Sequence, residues 1–381
     1  MYEFGAEEVE AASRVLQSGN MFRYMEGSNE ASLFEVELAQ RMRAGRALMT
    51  SSGTAALITG LGALGIGPGD EVIIPAYGFV ADVIAVLAVG AKPVVAEIDS
   101  TLGMDSKDLP NKFTERTRAI LPVHMNGFVA DLDPILRFAD DHGVPVIEDA
   151  CQAIGATYRG RNVGTLGRAG AFSFNQAKII TAGEGGALLT DDEDLQARAF
   201  ILHDPSCVFD LPNIRQPAFG GFAFRVTEYA AAIMRVQLSR LDSILARLAA
   251  NRERLSSAIA AVSDVEHIPL PDPAGIVGNH VAYILDNAKQ ASSLVDRIRS
   301  VTSLYAFQGN VNGHSFGEWS MLHDRRGSHS AKGNPLAEPA LVQGPDDCPA
   351  SRDLLGRIIL VGYGVDVADK QIEAIASCFA A

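Results

Sequence analysis

The sequence predicts an α/β protein, with a large amino-terminal unit built on a mostly parallel sheet covered by helices and a smaller carboxyl-terminal α/β unit. Two observations carry this. Between residues 46 and 190, apolar runs of strand length alternate with helical stretches, the pattern of a parallel sheet covered on both faces. After residue 226 the alternation gives way to a long helix, and a smaller α/β pattern follows it. The expected division is 1–245 for the large unit with its amino-terminal arm and 246–381 for the small one.

In chain order, MYEFGAEEVEAASRVLQSG is charged and amphipathic, with neither the apolar core of a signal peptide nor a basic leader. ALMT (47–50) reads as a strand, and SSGTAALITGLGAL starts polar and continues as a helix. EVIIP (71–75) is a strand closed by Pro75, and FVADVIAVLAVG is a helix closed by Gly90. KPVVAEI (92–98), RAILPV (118–123) and VPVIED (144–149) are apolar runs of strand length, with the helix DLDPILRFADDHG between the last two. AGAFSF (169–174) and GGALLT (185–190) are two further strands. VTEYAAAIMRVQLSRLDSILARLAANRERL then repeats its apolar positions at helical spacing. Segment 308–334, rich in Gly, Ser, His and Asn, reads as loop, and DKQIEAIASCFA is a closing helix.

Composition narrows the function. Of 381 residues, 20% are charged and 48% hydrophobic, as in an ordinary soluble globular protein. A net charge of -14, with no Lys/Arg run, argues against a polyanionic partner such as nucleic acid. Apolar stretches such as VADVIAVLAVGAKPVVA are broken by Asp, Gly, Lys and Pro well short of a membrane span. The four cysteines, Cys151, Cys207, Cys348 and Cys378, are scattered and lack C-x-x-C spacing. They resemble neither a disulfide framework nor a zinc site, so no metal is expected and a reducing cytoplasm is the expected compartment.

Ligands of parallel α/β sheets bind at the carboxyl ends of the strands, where the polar residues of this chain collect. In FSFNQAKIITAGEGGALLTDD a strand delivers Ser173 and then Lys178, just before a glycine-rich bend. A lysine with its ordinary pKa of ~10.4 is almost never neutral at pH 7. Nucleophilic use therefore requires desolvating it or engaging it covalently as an imine. Taken alone, Lys178 also reads as a surface lysine beside a hairpin. VPVIEDACQAIGA ends a buried strand with Glu148 and Asp149, and Gln152 follows. A carboxylate there suits a pyridine nitrogen that must stay protonated, and equally suits a helix cap. SSGTAAL joins a strand to a helix, with Gly53 permitting close backbone approach and Thr54 adding a hydroxyl. It reads as an anion site or as an ordinary cap. Tyr77 and Phe79 follow the next strand, and either suits stacking on a flat ring or core packing.

These blocks, in order, resemble the DegT/DnrJ/EryC1/StrS family of sugar aminotransferases, a branch of the fold-type I pyridoxal-phosphate enzymes. The likeness spans nearly the whole chain. It includes SSGTAALITGLGALGIGPGDEVIIPAYGFVAD, GAKPVVAEID, TRAILPVHMNG, VIEDACQAIGATYRGRNVGTLGRAGAFSF, GEGGALLTDD, FRVTEYAAAIMRVQLSRLD and CPASRDLLGRIILV. It implies a mixed, mostly parallel seven-stranded sheet in the large unit and pyridoxal 5'-phosphate as cofactor, held as a Schiff base on Lys178. It further implies Asp149 on the pyridine nitrogen, Gln152 near the phenolic oxygen and Phe79 stacked on the ring. Thr54, Ala55 and Ser173 match the phosphate positions, with Gly53 alongside.

The implied reaction moves an amino group from glutamate or glutamine to a keto sugar, keto-cyclitol or related ketone. An elimination or another non-transaminating reaction on the same cofactor is the alternative. A homodimer with shared active sites is implied as well. Two departures stand out: Ala223, in GFAFRVTE, replaces an Asn that reaches the partner's phosphate, and Asp82 stands where a small hydroxyl residue is common. SGNMFRYMEG looks most like the 8-amino-3,8-dideoxy-manno-octulosonate transaminase subgroup, which makes Arg23 either a carboxylate clamp or a solvated loop arginine. Tyr24, His124, Asn126, His314 and Trp319 are the other candidates for substrate contact.

Overall fold

The strands of the large unit form where apolar runs meet turn residues. They begin with β1 (Arg46–Thr50), β2 (Glu71–Pro75), β3 (Lys92–Ala96), β4 (Thr117–Ile120) and β5 (Ile147–Asp149). A short hairpin, β6 (Thr157–Tyr158) with β7 (Arg161–Asn162), precedes β8 (Ala169–Ser173) and β9 (Gly186–Thr190). The computed structural model describes residues 3–23, 29–204, 219–311, 313–327, 333–337, 344 and 346–380.

Strands β1, β9, β8 and β5 are hydrogen-bonded in that order, as are β3, β2 and β4. Parallel bridges Ile120–Val146 and Val123–Asp149 join β4 to β5, so one sheet runs β3-β2-β4-β5-β8-β9-β1. Only β9 runs against its neighbours, antiparallel to both β8 and β1. This is the mixed, mostly parallel seven-stranded sheet that the family resemblance implies. Strands β2, β8 and β9 are buried along their whole length, as a sheet covered on both faces requires.

The covering helices are α1 (Ala6–Ser18), α2 (Glu30–Met42), α3 (Gly53–Ala63), α4 (Ala81–Ala88), α5 (Leu109–Lys112), α6 (Leu132–His142) and α7 (Glu193–His203). Helix α3 starts where the Ser52 hydroxyl accepts the Ala55 N–H at 3.0 Å. Helix α6 stops at Gly143, which takes the left-handed conformation with φ 65°.

The long helix α8 (Glu228–Ala260) spans the expected boundary at 245/246. Its buried positions continue at helical spacing through Leu248, Leu255 and Ile259, with no breaker to end it earlier. Beyond the boundary, Asn251 Nδ2 donates to the carbonyls of Gly364 and Val365, both at 3.0 Å, so the same helix anchors the small unit. That unit holds β10 (Glu266–His267), β11 (His280–Ile284), β12 (Ala306–Gln308) and β13 (Ile358–Gly362) in the antiparallel order β10-β11-β13-β12. Its helices are α9 (Ala288–Val301), α10 (Ser320–His323), α11 (Pro349–Arg357) and α12 (Asp369–Phe379).

Segment 308–334, expected as loop, contains a helical turn at Phe316–Glu318 and then α10. Phe316, Trp319 and Leu322, spaced by three, supply the buried face that holds it. No helix among the described residues is long and apolar enough to cross a membrane.

Candidate active site

The carboxyl ends of the parallel strands and the amino end of β9 share one edge of the sheet, where Ser173 and Thr50 both pair with Gly186. Between this edge and the small unit lies a cavity of about 580 Å³. The large unit contributes Phe79, Asn126, Cys151, Gln152, Asn175 and Lys178 to its wall. The small unit contributes Asn279, His280, Tyr305, His314 and Tyr363 among others.

Lys178 sits in the β8–β9 connection, which is tied to itself at several points. Its own N–H donates to the Asn175 carbonyl at 3.0 Å, Gln176 N–H to the Gly183 carbonyl at 3.0 Å, and Phe174 N–H to the Gly185 carbonyl at 2.8 Å. The buried Thr181 hydroxyl donates to the Phe174 carbonyl at 2.8 Å. Gly183 and Gly185 have φ of 85° and 153°, a bend that side-chain-bearing residues resist. The bend read from AGEGG thus holds Lys178 against the cavity.

Asp149, at the end of β5, is almost fully buried, and one of its carboxylate oxygens accepts the Cys151 N–H at 2.8 Å. Burial, together with Asp149, pushes the Cys151 thiol well above its usual range, so it stays neutral. Next to these residues, α3 meets β8 at close range. A Cβ on Gly53 would stand 2.7 Å from Cys151 Sγ and 2.8 Å from Ser173 Cβ, so only glycine fits. Because Ser52 takes the Ala55 N–H and the Ser52 carbonyl takes that of Ala56, the Gly53 and Thr54 amides remain as first-turn donors beside Ser173.

The other expected residues divide. Gln152 lines the cavity, and its side-chain oxygen accepts the Asn126 N–H at 3.0 Å. Asn126, left-handed at φ 56°, donates through Nδ2 to the Tyr77 hydroxyl at 3.0 Å. Tyr77 is fully buried, whereas Phe79 is 46% exposed and lines the cavity, so of the two rings Phe79 is the one the cavity can reach. Phe79 lies 5.8 Å, ring to ring, from His314. Burial and the nearby Lys178 lower His314 to a pKa of about 4, so its imidazole is neutral.

Three candidates are placed elsewhere. His124 is completely buried: Nδ1 accepts the Ala130 N–H at 3.3 Å, which leaves Nε2 to donate to Glu148 at 3.1 Å. Glu148 in turn accepts the N–H groups of Gly164, Leu166 and Gly167, each at 2.7 Å, so this pair holds a loop behind the sheet. Trp319 is 2% exposed, and its indole N–H donates to the Gly313 carbonyl at 3.0 Å. It anchors the loop bearing His314 and does not line the cavity. Arg23 is buried and pairs fork-to-fork with Glu35 at 2.8 and 2.6 Å, away from the cavity wall. Tyr24 lies outside the described residues.

Apart from His314, sequence reasoning missed the wall supplied by the small unit. His280, lowered to about 4 by burial and by His314, stands beside Asn279 at the start of β11. A polar pair just before an apolar run was its only signal, and the pairing of β11 with β13 decides which way the pair faces.

Residues 3–303 match the profile of the DegT/DnrJ/EryC1/StrS aminotransferase family. The chain belongs to that family. Among relatives of this DegT/DnrJ/EryC1/StrS protein, GDP-perosamine synthase of Caulobacter vibrioides is 43% identical over 218 residues, covering 56% of this chain and 57% of the relative. L-glutamine:2-deoxy-scyllo-inosose aminotransferase of Streptomyces fradiae is 42% identical over 218 residues, covering 54% of this chain and 50% of the relative. Both matches therefore span little more than half of the relative's length. The crystal structure of 3-amino-5-hydroxybenzoic acid synthase superimposes with a TM-score of 0.82 at 28% identity, covering 99% of this chain and 96% of that one.

Proposed function

We propose that this chain is a pyridoxal-phosphate-dependent aminotransferase moving an amino group from glutamate or glutamine to a keto sugar, keto-cyclitol or related ketone. One observation carries the reading: Lys178 and the Gly53–Ser173 cradle stand at one cavity edge with Asp149 at the end of the central strand. The donor set suits the cofactor. A carboxylate, a lysine amine and a tight backbone anion site match its pyridine nitrogen, aldehyde and phosphate.

When bound, the cofactor supplies an aldehyde that engages amines and a protonated ring that takes up the electron pair left on a substrate carbon. Lys178 Nζ would hold it covalently and would carry the proton taken from the donor's α-carbon. Asp149 holds the proton on the pyridine nitrogen. The Gly53 and Thr54 amides at the start of α3, together with Ser173, bind the phosphate, with Ala55 held in place by Ser52. Phe79 covers the ring, and Gln152 orients groups beside it. The donor leaves as its 2-oxo acid, and the acceptor ketone leaves as an amine.

The acceptor side of the cavity presents the hydrogen-bonding groups Asn126, Asn279, His280 and His314 together with the exposed Asp366, and no arginine lines it among the described residues. That lining favours hydrogen bonding to a polyhydroxy ketone, the class to which the name of the inosose relative points. Arg23, answered by Glu35, gives no support to the octulosonate subgroup.

The same reading includes a two-fold homodimer with shared sites. It is supported by exposed aromatic surface at Phe222, 41% exposed and stacked on Phe224, beside Ala223. The free thiols of Cys151, Cys348 and Cys378 suit a reducing compartment such as the cytoplasm.

The test is direct. Borohydride should fix the cofactor's mass on Lys178, and glutamate or glutamine with a keto-cyclitol should release the 2-oxo acid. Lys178→Ala should lose turnover by several orders of magnitude, and a fully active variant would end the proposal.

A further inference from the structure

The cavity edge contains a second carboxyl that the proposed chemistry leaves unused. Asp82, in the first turn of α4, is 1% exposed. Neither of its oxygens has a hydrogen-bond donor among the described residues. Such an arrangement is costly for an ionised carboxylate, because each buried and unanswered oxygen forfeits its hydration.

The space around it is shaped for the group. A Cβ on Gly78 would lie 2.8 Å from Asp82 Oδ2 and 3.4 Å from Val123 Cγ2. Val123 in turn pairs with Asp149 across the β4–β5 seam. Beside burial, the charges acting on Asp82 are those of Asp149 and Lys178, and the Cys151 thiol would join this cluster if it ionised. Two carboxylates cannot hydrogen-bond to each other, since both only accept. A single proton between them resolves both difficulties: it satisfies Asp82 and removes one of two adjacent buried charges. Burial first, and Asp149 second, push the Asp82 carboxyl well above the usual carboxylate range, as that arrangement requires.

We propose that Asp82 is a positioning residue that stays protonated and donates a hydrogen bond to the Asp149 carboxylate, so that the pair presents a single negative charge to the cofactor's pyridine nitrogen. The effect on the cofactor rests on the aminotransferase reading; the shared proton does not. Asp82 thereby does the work of the small hydroxyl common at this position. Its hydrogen bond is charge-assisted and fixes the orientation of Asp149, but it lasts only while the proton remains.

The experiment compares the holoenzyme with Asp82→Asn, Asp82→Thr and Asp82→Ala, with three readouts. Infrared difference spectra of wild type against Asp82→Asn at neutral pH should show the C=O stretch of a protonated carboxylic acid in the wild type alone. The pH titration of the bound cofactor's visible absorption should have the same midpoint near neutrality in wild type and Asp82→Asn, because one neutral group replaces another. Asp82→Ala should bind pyridoxal phosphate about tenfold more weakly, while Asn and Thr, which still donate, stay near wild type.

If Asp82 is instead ionised, the carbonyl band is missing. Asp82→Asn then moves the midpoint down, because a negative charge that favoured the protonated cofactor is lost. Either result overturns the proposal, as does an unchanged dissociation constant in Asp82→Ala. A wild-type protein that binds no pyridoxal phosphate, yet shows the carbonyl band, would defeat the functional reading and leave the shared proton standing.

Discussion

Arg23→Ala separates a buried structural pair from a substrate clamp. The side chains of Arg23 and Glu35 are 6% and 12% exposed. Nη1 and Nη2 each donate to a separate carboxylate oxygen, and Glu35 also accepts the Met49 N–H of β1 at 2.6 Å. Truncating the arginine leaves that carboxylate buried with one backbone donor, and breaking a buried pair from one side costs about 3–5 kcal/mol. At a urea slope of about 3 kcal/mol/M, the unfolding midpoint should fall by about 1 M or more.

The loss should also depend on pH. Burial already raises the Glu35 carboxyl against the opposing pull of Arg23 and the Met49 amide. Without Arg23 the folded state takes up its proton more readily, whereas the unfolded state releases it near the ordinary glutamate pKa of ~4.3. A folded pKa above the unfolded one gives stability that is complete at low pH and lost as pH rises through the folded pKa. The gap between variant and wild type should therefore narrow when urea curves are repeated at pH 6 instead of pH 8. Donor KM should barely move. An unchanged midpoint at both pH values, with KM for a carboxylate-bearing substrate raised tenfold or more, would refute this reasoning and return Arg23 to the substrate.

Three further outcomes are expected. Gly53→Ala, whose Cβ would collide with Cys151 Sγ and Ser173 Cβ, should lose about 1–3 kcal/mol of stability and weaken cofactor binding, read by thermal melting and by titration with pyridoxal phosphate; an unaltered affinity would remove the cradle from the argument. Ala223→Asn should tighten cofactor binding about tenfold if the partner's phosphate lacks a donor, which is one hydrogen bond to a charged group at about 1.5 kcal/mol; sedimentation of a fully active monomer would cancel the premise. Burial lowers His203, His280 and His314 from 6.5 to about 4. Each is neutral when folded and takes a proton when unfolded, so stability should fall as pH drops from 6.5 towards 4, by up to about 1.4 kcal/mol per pH unit for each. Melting temperatures that stay level between pH 7 and 5 would contradict this.

What could be read from the sequence was whatever is written locally. The strands from β1 to β9 announced themselves as apolar runs between turn residues, and Ser52, Gly143 and the AGEGG bend marked helix and loop ends through backbone chemistry each residue carries by itself. Lys178, Asp149 and Gly53 each carried a second local reading, as surface lysine or helix cap, and the order of the motifs in the family resemblance singled them out. Arg23 and His124 were decided by partners elsewhere in the chain. Arg23 looked like a loop arginine until Glu35, on α2, closed on it, and His124 looked like a pocket residue until Glu148 claimed its ring. Trp319 was assigned to a loop because its apolar spacing with Phe316 and Leu322 is too short to stand out. His280 reaches the cavity only because β11 pairs with β13 in one register, and a slip of one residue would turn it to the opposite face. Asp82 is the most instructive case: in the sequence it was a departure without a cause, and its cause is a second carboxyl on another strand end. A polar residue that breaks a family pattern at a buried position therefore calls for a search for a partner group that shares or supplies its proton.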